Sequence, residues 1–320
     1  MKTLVFLEHH EGEIVKGSLG VLGKATSLDA GVTGVLAGAE VEGLAPQAGQ
    51  HGAARVLVAD DPRLEAALPQ PRVDVFAGLV REHGFDTVLF GQSVLAADVA
   101  AGLAARLGAG LNWDLVDLRR DGDELVGTRP ALGDSVYVDV GWTAPPRLAL
   151  FRTGSFEPVA VGGEASVERV AVSLEDFSSG AVMREQAHEE RTGPSIEDAD
   201  VVVAGGRGLG SPEAFALVEE LAKALGGAVG ATRAVVDAGW YPYSAQVGQT
   251  GRTVAPKLYV ACGISGAIQH KVGMQASGTV VAVNKDPNAP IFEFSDLGVV
   301  GDLHQILPKL TELVRARAGS

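Results

Sequence analysis

Apolar residues along this chain of 320 residues fall into short runs separated by longer segments of mixed character. Short apolar runs are typical of buried strands, and a periodic apolar face is typical of a helix packed on a sheet. The predicted strands of the first third lie at 4–7, 31–37, 55–59 and 86–90, and the predicted helices at 19–28, 73–82 and 95–107. This alternation predicts a parallel sheet covered by helices on both faces.

The alternation stops after this region. Between residues 112 and 172, valine-rich stretches are separated by glycine and proline, at 124–128, 135–140, 148–152 and 166–173. Short segments with turn residues between them are typical of strands joined by tight connections. They predict an antiparallel or mixed extension of the same sheet.

A polar segment follows, with charges of both signs and few large apolar residues between 174 and 199. This composition, together with the Gly193-Pro194 pair, predicts a linker between domains. We therefore expect three parts: an N-terminal α/β domain at 1–185, a linker at 186–198 and a C-terminal domain at 199–320.

The last third of the chain again alternates predicted strands and helices. Strands are predicted at 201–204, 228–230, 258–261, 279–283 and 299–300, a glycine-rich turn at 205–210, and a closing helix at 303–316. Ser211 is expected to cap the helix that starts with Pro212. The predicted fold class is α/β with two domains, each built on a mostly parallel doubly wound sheet, and the second domain is Rossmann-like.

Charge and composition exclude several classes of partner. The formal net charge of -14 argues against nucleic acid and anionic membrane surfaces, since both require basic patches. The first seven residues are too short for the apolar region of a signal peptide, and no run approaches the length of a membrane span. We expect a cytoplasmic protein of bacterial type, without membrane insertion. The single cysteine, Cys262, lies in a predicted strand and is interpreted as a core residue.

No arrangement of side chains for autonomous catalysis is readable. The sequence shows no nucleophile triad, no paired acid and base, and no metal-ligand spacing among its seven histidines. If the protein performs chemistry, a cofactor carries it.

Two stretches favour a nucleotide-like cofactor. The turn at 205–210 departs from the dinucleotide fingerprint because its third glycine falls one residue early, at Gly210, where Ser211 follows. A tight turn and a phosphate contact both stay open there, and Arg207 favours the second. The stretch 239–270 combines a polar loop, an apolar strand and the small-residue turn 263–266, whose free N–H groups suit a phosphate.

At this point five segments resemble one family. They are TRAVVDAG at 232–239, QVGQTG at 246–251, APKLYVACGISGAIQH at 255–270, AVNKDPNAPIF at 282–292 and GVVGDL at 298–303. In this order they resemble the alpha subunit of the electron transfer flavoproteins, from Val201 to about Leu313. The first half resembles that family only loosely.

The resemblance implies one FAD, held mainly by the C-terminal domain. It implies that Thr250 donates to flavin N5 and that His270 addresses the pyrimidine oxygen. Arg233 would lie against the ring, where a cation stabilises the negative charge of a reduced flavin. The other implied cofactor-binding residues are Arg207, Thr232, Gln246, Val247, Gly248, Gln249, Ser265, Gly266, Ala267, Ile268, Gln269, Asn284, Asp302 and Leu303.

The resemblance also implies a function. The chain would pair with a beta subunit and carry electrons from flavoprotein dehydrogenases, such as acyl-CoA dehydrogenases of fatty acid β-oxidation, to a quinone-linked oxidoreductase. It would do so through an anionic semiquinone, as an electron carrier rather than a substrate-converting enzyme. We also expect a mobile FAD domain, with the segment 174–199 as hinge.

Alternatives stay open at this stage. The chain could be a subunit of a pyridine-nucleotide dehydrogenase, although no acidic residue follows the strand that ends at Thr232-Arg233 to grip a nicotinamide ribose. It could belong to an electron-bifurcating complex fed by NADH, in which the beta subunit holds a second FAD instead of AMP. It could also be a nucleotide-binding scaffold without flavin.

Overall fold

The computed structural model describes residues 1–132, 134–185 and 195–318. The chain divides into two compact units, Met1–Ala187 and His188–Ser320. The strands of the first unit are β1 (Thr3–Phe6), β2 (His9–His10), β3 (Glu13–Ile14), β4 (Thr33–Gly38), β5 (Arg55–Asp60), β6 (Thr87–Gly91), β7 (Leu111–Leu115), β8 (Asp117–Asp121), β9 (Glu124–Ala131), β10 (Val136–Val140), β11 (Arg147–Phe151) and β12 (Ser166–Arg169). Its helices are α1 (Lys16–Leu28), α2 (Ala45–Gln50), α3 (Pro69–His83) and α4 (Val94–Leu107).

The first unit is built on a seven-stranded sheet of order β12-β5-β4-β1-β6-β11-β7. All neighbouring strands in it are parallel. Successive residues of β1 face opposite sides: Leu4 and Phe6 join the core under α3 and α4, while Val5 joins the core under α1 and α2. Burial of both faces explains why these strands are continuous apolar runs.

The expected antiparallel or mixed extension of this sheet is wrong in two respects. The segments at 148–152 and 166–173 contribute the parallel strands β11 and β12 to the main sheet. β11 is buried from Leu148 to Phe151, which suits an inner parallel strand rather than a half-exposed antiparallel one. The segments at 124–128 and 135–140 form β9 and β10 of a separate antiparallel sheet of order β10-β9-β8, because the two-residue turn with Gly122 (φ 60°) folds β8 back on β9.

The predicted linker is only partly described. Its polar start is packed on the first unit: a 3-10 turn at Asp176–Ser179 buries Ser178, and the Glu175 N–H donates to Asp74 Oδ2 at 2.8 Å on α3. Residues 186–194 lie outside the described residues. Ile196 is buried in the core of the second unit. The boundaries at 185 and 199 stay predictions, as does the hinge.

The second unit is built on one parallel sheet. Its strands are β13 (Val201–Gly205), β14 (Ala228–Thr232), β15 (Gln246–Val247), β16 (Leu258–Cys262), β17 (Thr279–Asn284) and β18 (Leu297–Val300), in the order β15-β14-β13-β16-β17-β18. Its helices are α5 (Phe215–Ala224), α6 (Arg233–Val236), α7 (Ile268–Met274) and α8 (Leu303–Ala318). All strand pairs are parallel, and apolar clusters lie on both faces. This confirms the predicted fold class.

The segment before α5 differs from the sequence expectation. Ser211 precedes a 3-10 turn at Pro212–Ala214, and its side chain accepts no capping hydrogen bond, so the expected cap is wrong. Its hydrogen bond with the Glu213 carboxylate instead lowers the pKa of that group. Among the described residues, no helix is long and apolar enough to cross a bilayer.

Candidate functional site

A cavity of about 690 Å³ lies at the carboxyl ends of the strands of the second unit. From β13 the chain adds strands on one side, through β14 to β15, and then returns to the other side of β13 with β16. Ligands of open parallel sheets bind at such a reversal of strand order, outside the carboxyl ends. The cavity is lined there by the loops that follow β13, β14, β15, β16 and β17.

Glycines bring the loops after β13 and β16 together. A Cβ on Gly206 would lie 2.5 Å from the Gly263 carbonyl oxygen, and a Cβ on Gly208 would lie 2.6 Å from Gly263 Cα. The Gly208 N–H also donates to the Gly263 carbonyl at 2.9 Å. The glycine-rich turn therefore serves close packing of two loops, and Arg207 at its centre is exposed and lines the cavity.

The turn before α7 presents unpaired backbone donors to the cavity. In the part of the chain that the structure describes, the N–H groups of residues 265–269 have no hydrogen-bond acceptor; the first donor of this turn with a partner is His270 N–H, to the Ala267 carbonyl at 2.9 Å. Ser265, Ala267 and Gln269 line the cavity. A consecutive set of free N–H groups fits the oxygens of a pyrophosphate.

Neighbouring loops hold this turn in place. The Ile291 N–H donates to the Ser265 carbonyl at 2.9 Å, and Asn284 Nδ2 donates to the Ile264 carbonyl at 2.9 Å. Gly266 adopts φ +88°, and a Cβ there would lie 2.3 Å from Ile291 N. Only glycine satisfies both the conformation and the contact.

The loop after β15 carries a hydroxyl whose orientation is set by its neighbours. Gln246 is buried, and its Nε2 donates to Thr250 Oγ1 at 3.1 Å. Tyr243 donates its hydroxyl to the Thr250 carbonyl at 2.8 Å. Because the Thr250 oxygen already accepts a hydrogen bond, its own O–H is left to donate elsewhere, and Thr250 lines the cavity.

Two cations and two anions line the cavity. The cations are Arg207 and Arg233, and the anions are Asp237 and Asp286. Arg233 Nε donates to Asp237 Oδ2 at 3.2 Å across one turn of α6, and both side chains are more than half exposed. Solvent screens such a pair, so the Arg233 guanidinium keeps freedom to meet a ligand.

His270 is buried behind the same loop, with both ring nitrogens bonded within the chain. Nδ1 lies 3.0 Å from the Val247 carbonyl, and Nε2 lies 2.9 Å from the Tyr259 hydroxyl. Burial lowers the pKa of His270 to about 4, although the hydrogen bond to Val247 opposes that shift. The ring is therefore neutral near pH 7. Donation to a flavin oxygen would require Nε2 to leave Tyr259, so that role stays a prediction.

Most of the predicted cofactor-binding residues meet at the cavity. Those that line it are Arg207, Thr232, Arg233, Val247, Gly248, Gln249, Thr250, Ser265, Ala267, Gln269, His270 and Asn284. Gln246 lies behind the Thr250 loop, Gly266 is buried under Ile291, and the Ile268 side chain is exposed.

Two predicted residues have structural tasks in the chain. Asp302 Oδ1 accepts from the His304 N–H at 2.9 Å, which satisfies a free donor at the start of α8. The Leu303 side chain is buried in the core. Neither lines the cavity. Their implied contact with the cofactor stays a prediction.

Other residues also line the cavity. Gly206, Gly208, Gly263 and Ile264 lie in the two turns that the sequence favoured for a phosphate. The residues not named from the sequence are Ala234, Asp237, Asp286, Ala289 and Pro290. All five lie inside the segments that carried the resemblance, so the signal was available. Tyr259 and Tyr243, which support the cavity from behind, were not singled out because one was interpreted only as a strand residue and the other as loop.

The polar groups around the cavity fit a dinucleotide cofactor. Among the described residues, no group of three or more histidine, cysteine, aspartate or glutamate side chains could hold a metal ion. Cys262 is fully buried, and burial raises the pKa of its thiol to about 12, which makes it a poor nucleophile. The free N–H groups fit a dinucleotide's phosphates, and the Thr250 hydroxyl with Arg233 fits the polar edge of a ring.

Comparisons with known proteins agree with this arrangement. Residues 195–275 match the family described as the electron transfer flavoprotein FAD-binding domain, and residues 3–176 match the electron transfer flavoprotein domain. The second match alone spans more than half of the chain. The first one contains the loops after β13, β14, β15 and β16, whereas Asn284 and Asp286 lie beyond it.

Curated relatives are similar over nearly their whole length. Electron transfer flavoprotein subunit alpha of Mycobacterium tuberculosis (strain CDC 1551 / Oshkosh) is 43% identical over 324 residues, 99% of this chain and 99% of that protein. The protein of the same description from Bacillus subtilis (strain 168) is 39% identical over 315 residues, 97% and 96% of the two chains. Protein FixB of Clostridium saccharobutylicum is 40% identical over 314 residues, 96% and 94%.

Proposed function

Because this chain belongs to the electron transfer flavoprotein family, as an alpha subunit that binds FAD and pairs with a beta subunit, we propose that its cavity at β13 and β16 is the FAD site. The observation that carries this proposal is the row of free N–H groups at 265–269, beside the Thr250 hydroxyl and Arg233. FAD supplies the one-electron redox chemistry. The residues of the chain bind FAD, orient it and set the charge around it.

Each part of the cavity has a task in this proposal. The N–H groups at 265–269 hold the pyrophosphate, and Gly266 keeps their turn in the required shape. Gln246 and Tyr243 hold the Thr250 loop so that the hydroxyl donates to the ring. Arg233 and Arg207 place positive charge where a reduced flavin gains negative charge.

We further propose that the assembled heterodimer accepts electrons from flavoprotein dehydrogenases, such as those acting on acyl-CoA, and delivers them to a quinone-linked oxidoreductase. The cations at the cavity support transfer in single electrons through an anionic semiquinone, because they favour the negatively charged form. We propose that the chain acts as an electron carrier and that its own side chains convert no organic substrate.

The experiment is an anaerobic reduction of the FAD-loaded heterodimer, followed by the visible spectrum of its flavin. A reduced acyl-CoA dehydrogenase with its substrate should reduce the flavin in steps, and NADH alone should not. Free FAD in place of the heterodimer is the control. Direct reduction by NADH would replace this proposal with the pyridine-nucleotide alternative or a bifurcating complex. A heterodimer that takes up no FAD would leave only the scaffold alternative.

A further inference from the structure

Among the residues that the structure describes, the hydroxyl of the fully buried Tyr259 has one hydrogen-bond partner, His270. Tyr259 lies on β16, the neighbour of β13 at the centre of the sheet, and His270 lies in the first turn of α7. The imidazole continues the connection through Nδ1 to the Val247 carbonyl on β15. One ring therefore joins three elements directly behind the loop 248–250.

Tyr259, His270 and Val247 form a hydrogen-bonded row. The positions of its hydrogens follow from which of the end groups can donate and which can only accept. The Val247 carbonyl can only accept, so His270 Nδ1 carries the hydrogen. In a neutral ring Nε2 is then the acceptor, and Tyr259 must be the donor. Protonation of Nε2 would take from a buried hydroxyl the acceptor that it has within the described part of the chain, which is costly.

The ionisable groups around the ring do not favour a charged form. On β16 these are the phenol of Tyr259 and, beyond it, the thiol of Cys262; burial raises the pKa of both, so both are neutral. On β15 the ring meets the Val247 carbonyl, which does not ionise. On α7, Lys271 lies over the Phe294 ring, 5.1 Å from its centroid, rather than beside the imidazole.

The α7 helix and the loop 248–250 are in close contact at this point. The Gln249 N–H donates to the Gln269 carbonyl at 2.7 Å, and a Cβ on Gly273 would lie 2.3 Å from Gly248 N. The imidazole, bonded to the Val247 carbonyl directly before this loop, adds a side-chain link between α7 and β15 at the same point.

We propose that Tyr259 is a positioning residue of the FAD site: by donating to Nε2 it holds His270 as the neutral Nδ1–H tautomer, which braces α7 against β15 and fixes the Thr250 loop. The expected effect on FAD binding rests on the proposed function. The measurement of the His270 tautomer does not, because Tyr259, His270 and Val247 all belong to this chain. In this assignment His270 is a brace in place of the donor to a flavin oxygen that the resemblance implies, and the positive charge of the cavity comes from Arg207 and Arg233.

The test begins with the tautomer. This chain is labelled with nitrogen-15 in its histidine rings and assembled with unlabelled beta subunit, and the His270 resonances are identified by their loss in a His270→Gln variant. The expected result near pH 7, with and without FAD, is a protonated Nδ1 and an unprotonated, hydrogen-bonded Nε2. A protonated Nε2, as the neutral Nε2–H tautomer or as imidazolium, would overturn the proposal.

The second arm removes the hydroxyl. In Tyr259→Phe the Nε2 signal should shift, the pKa of His270 should rise because the neutral ring has lost its donor, and FAD should bind about fivefold more weakly. The matched control is Tyr241→Phe, whose hydroxyl donates to Glu219 away from the cavity and should change none of these readouts. If the His270 nitrogen shifts and the pKa of His270 were both unchanged in Tyr259→Phe, the positioning role would be contradicted.

The outcomes separate this inference from the proposed function. If the heterodimer bound no FAD, the tautomer could still be measured, and the proposed function alone would fail. If FAD bound but Nε2 carried a hydrogen, the brace alone would fail. Should Tyr259→Phe not fold, the tautomer of the unmodified protein would still decide.

Discussion

Gln246 Nε2 donates to Thr250 Oγ1 over 3.1 Å, from a side chain that is only 2% exposed. The hydrogen bond closes the loop from Gln246 to Thr250 and leaves the Thr250 hydroxyl hydrogen free to point at the cavity. A buried amide thus determines which way an exposed hydroxyl donates.

Replacing Thr250 with valine should weaken FAD binding about fivefold, because the isosteric side chain lacks the donor and leaves Gln246 without its acceptor. Thr250→Ser, which keeps the hydroxyl, is the control and should stay within about twofold of the unmodified protein. Equilibrium titration of the FAD-free heterodimer with FAD measures both. Equal affinities for the valine and serine variants would show that the hydroxyl does not contact the cofactor.

The pair formed by Arg233 and Asp237 predicts potential shifts of opposite sign. Arg233→Gln removes a cation and should lower the one-electron potentials of bound FAD, whereas Asp237→Asn removes an anion and should raise them. Two unit charges in contact in a water-like surrounding interact by about 1 kcal/mol, which corresponds to about 40 mV for one electron. Potentiometry that shows both variants shifting in the same direction would contradict this electrostatic role.

The buried His270 predicts an acid-sensitive second domain. Its pKa falls from 6.5 when exposed to about 4 in the fold, so the unfolded chain binds more protons in that interval and stability decreases as pH falls from about 6.5 to about 4. The loss amounts to roughly 3 kcal/mol at most. Denaturant unfolding across this pH range should show a smaller loss in His270→Gln. An identical pH dependence in that variant would mean that other groups cause the acid sensitivity.

Gly273→Ala should reduce FAD affinity by tenfold or more, since its new Cβ would lie 2.3 Å from Gly248 N and must separate α7 from the loop. Gly23→Ala is the matched control: Gly23 also lies inside a helix, α1, but a Cβ there meets nothing within 4 Å. The control should leave FAD affinity unchanged and stabilise α1 by about 0.5–1 kcal/mol. Tight FAD binding by Gly273→Ala would contradict the packing of helix and loop described here.

Much of the fold follows from local pattern. Buried strands such as β5 and β6 were predicted within one residue of their bounds because a parallel strand covered on both faces must be a continuous apolar run. α2 was missed because its six residues, APQAGQ, are too few to show a helical period. The separate antiparallel sheet was missed because period and turn residues predict strands but do not say which strands pair.

The candidate site was predicted unevenly for similar reasons. Motif resemblance located Thr250, Ser265 and Arg233 at the cavity, since these residues lie in contiguous segments with characteristic composition. The brace formed by Tyr259 and His270 joins residues on three separate elements, and no sequence pattern indicates such a contact. Protonation likewise depends on burial and partners, so the neutral state of His270 could be derived only from the folded chain.

In this proposal the turn at 265–269 holds FAD through its free N–H groups. Titration of the FAD-free heterodimer with FAD tests this most directly when Gly266→Ala is measured beside the unmodified protein. Gly266 lies at φ +88° with no room for a Cβ beside Ile291, so alanine must distort the turn. We predict saturable binding by the unmodified protein and at least a hundredfold weaker binding at this site in the variant. Undiminished binding in Gly266→Ala, or a heterodimer that stays colourless with excess FAD, would contradict the claim.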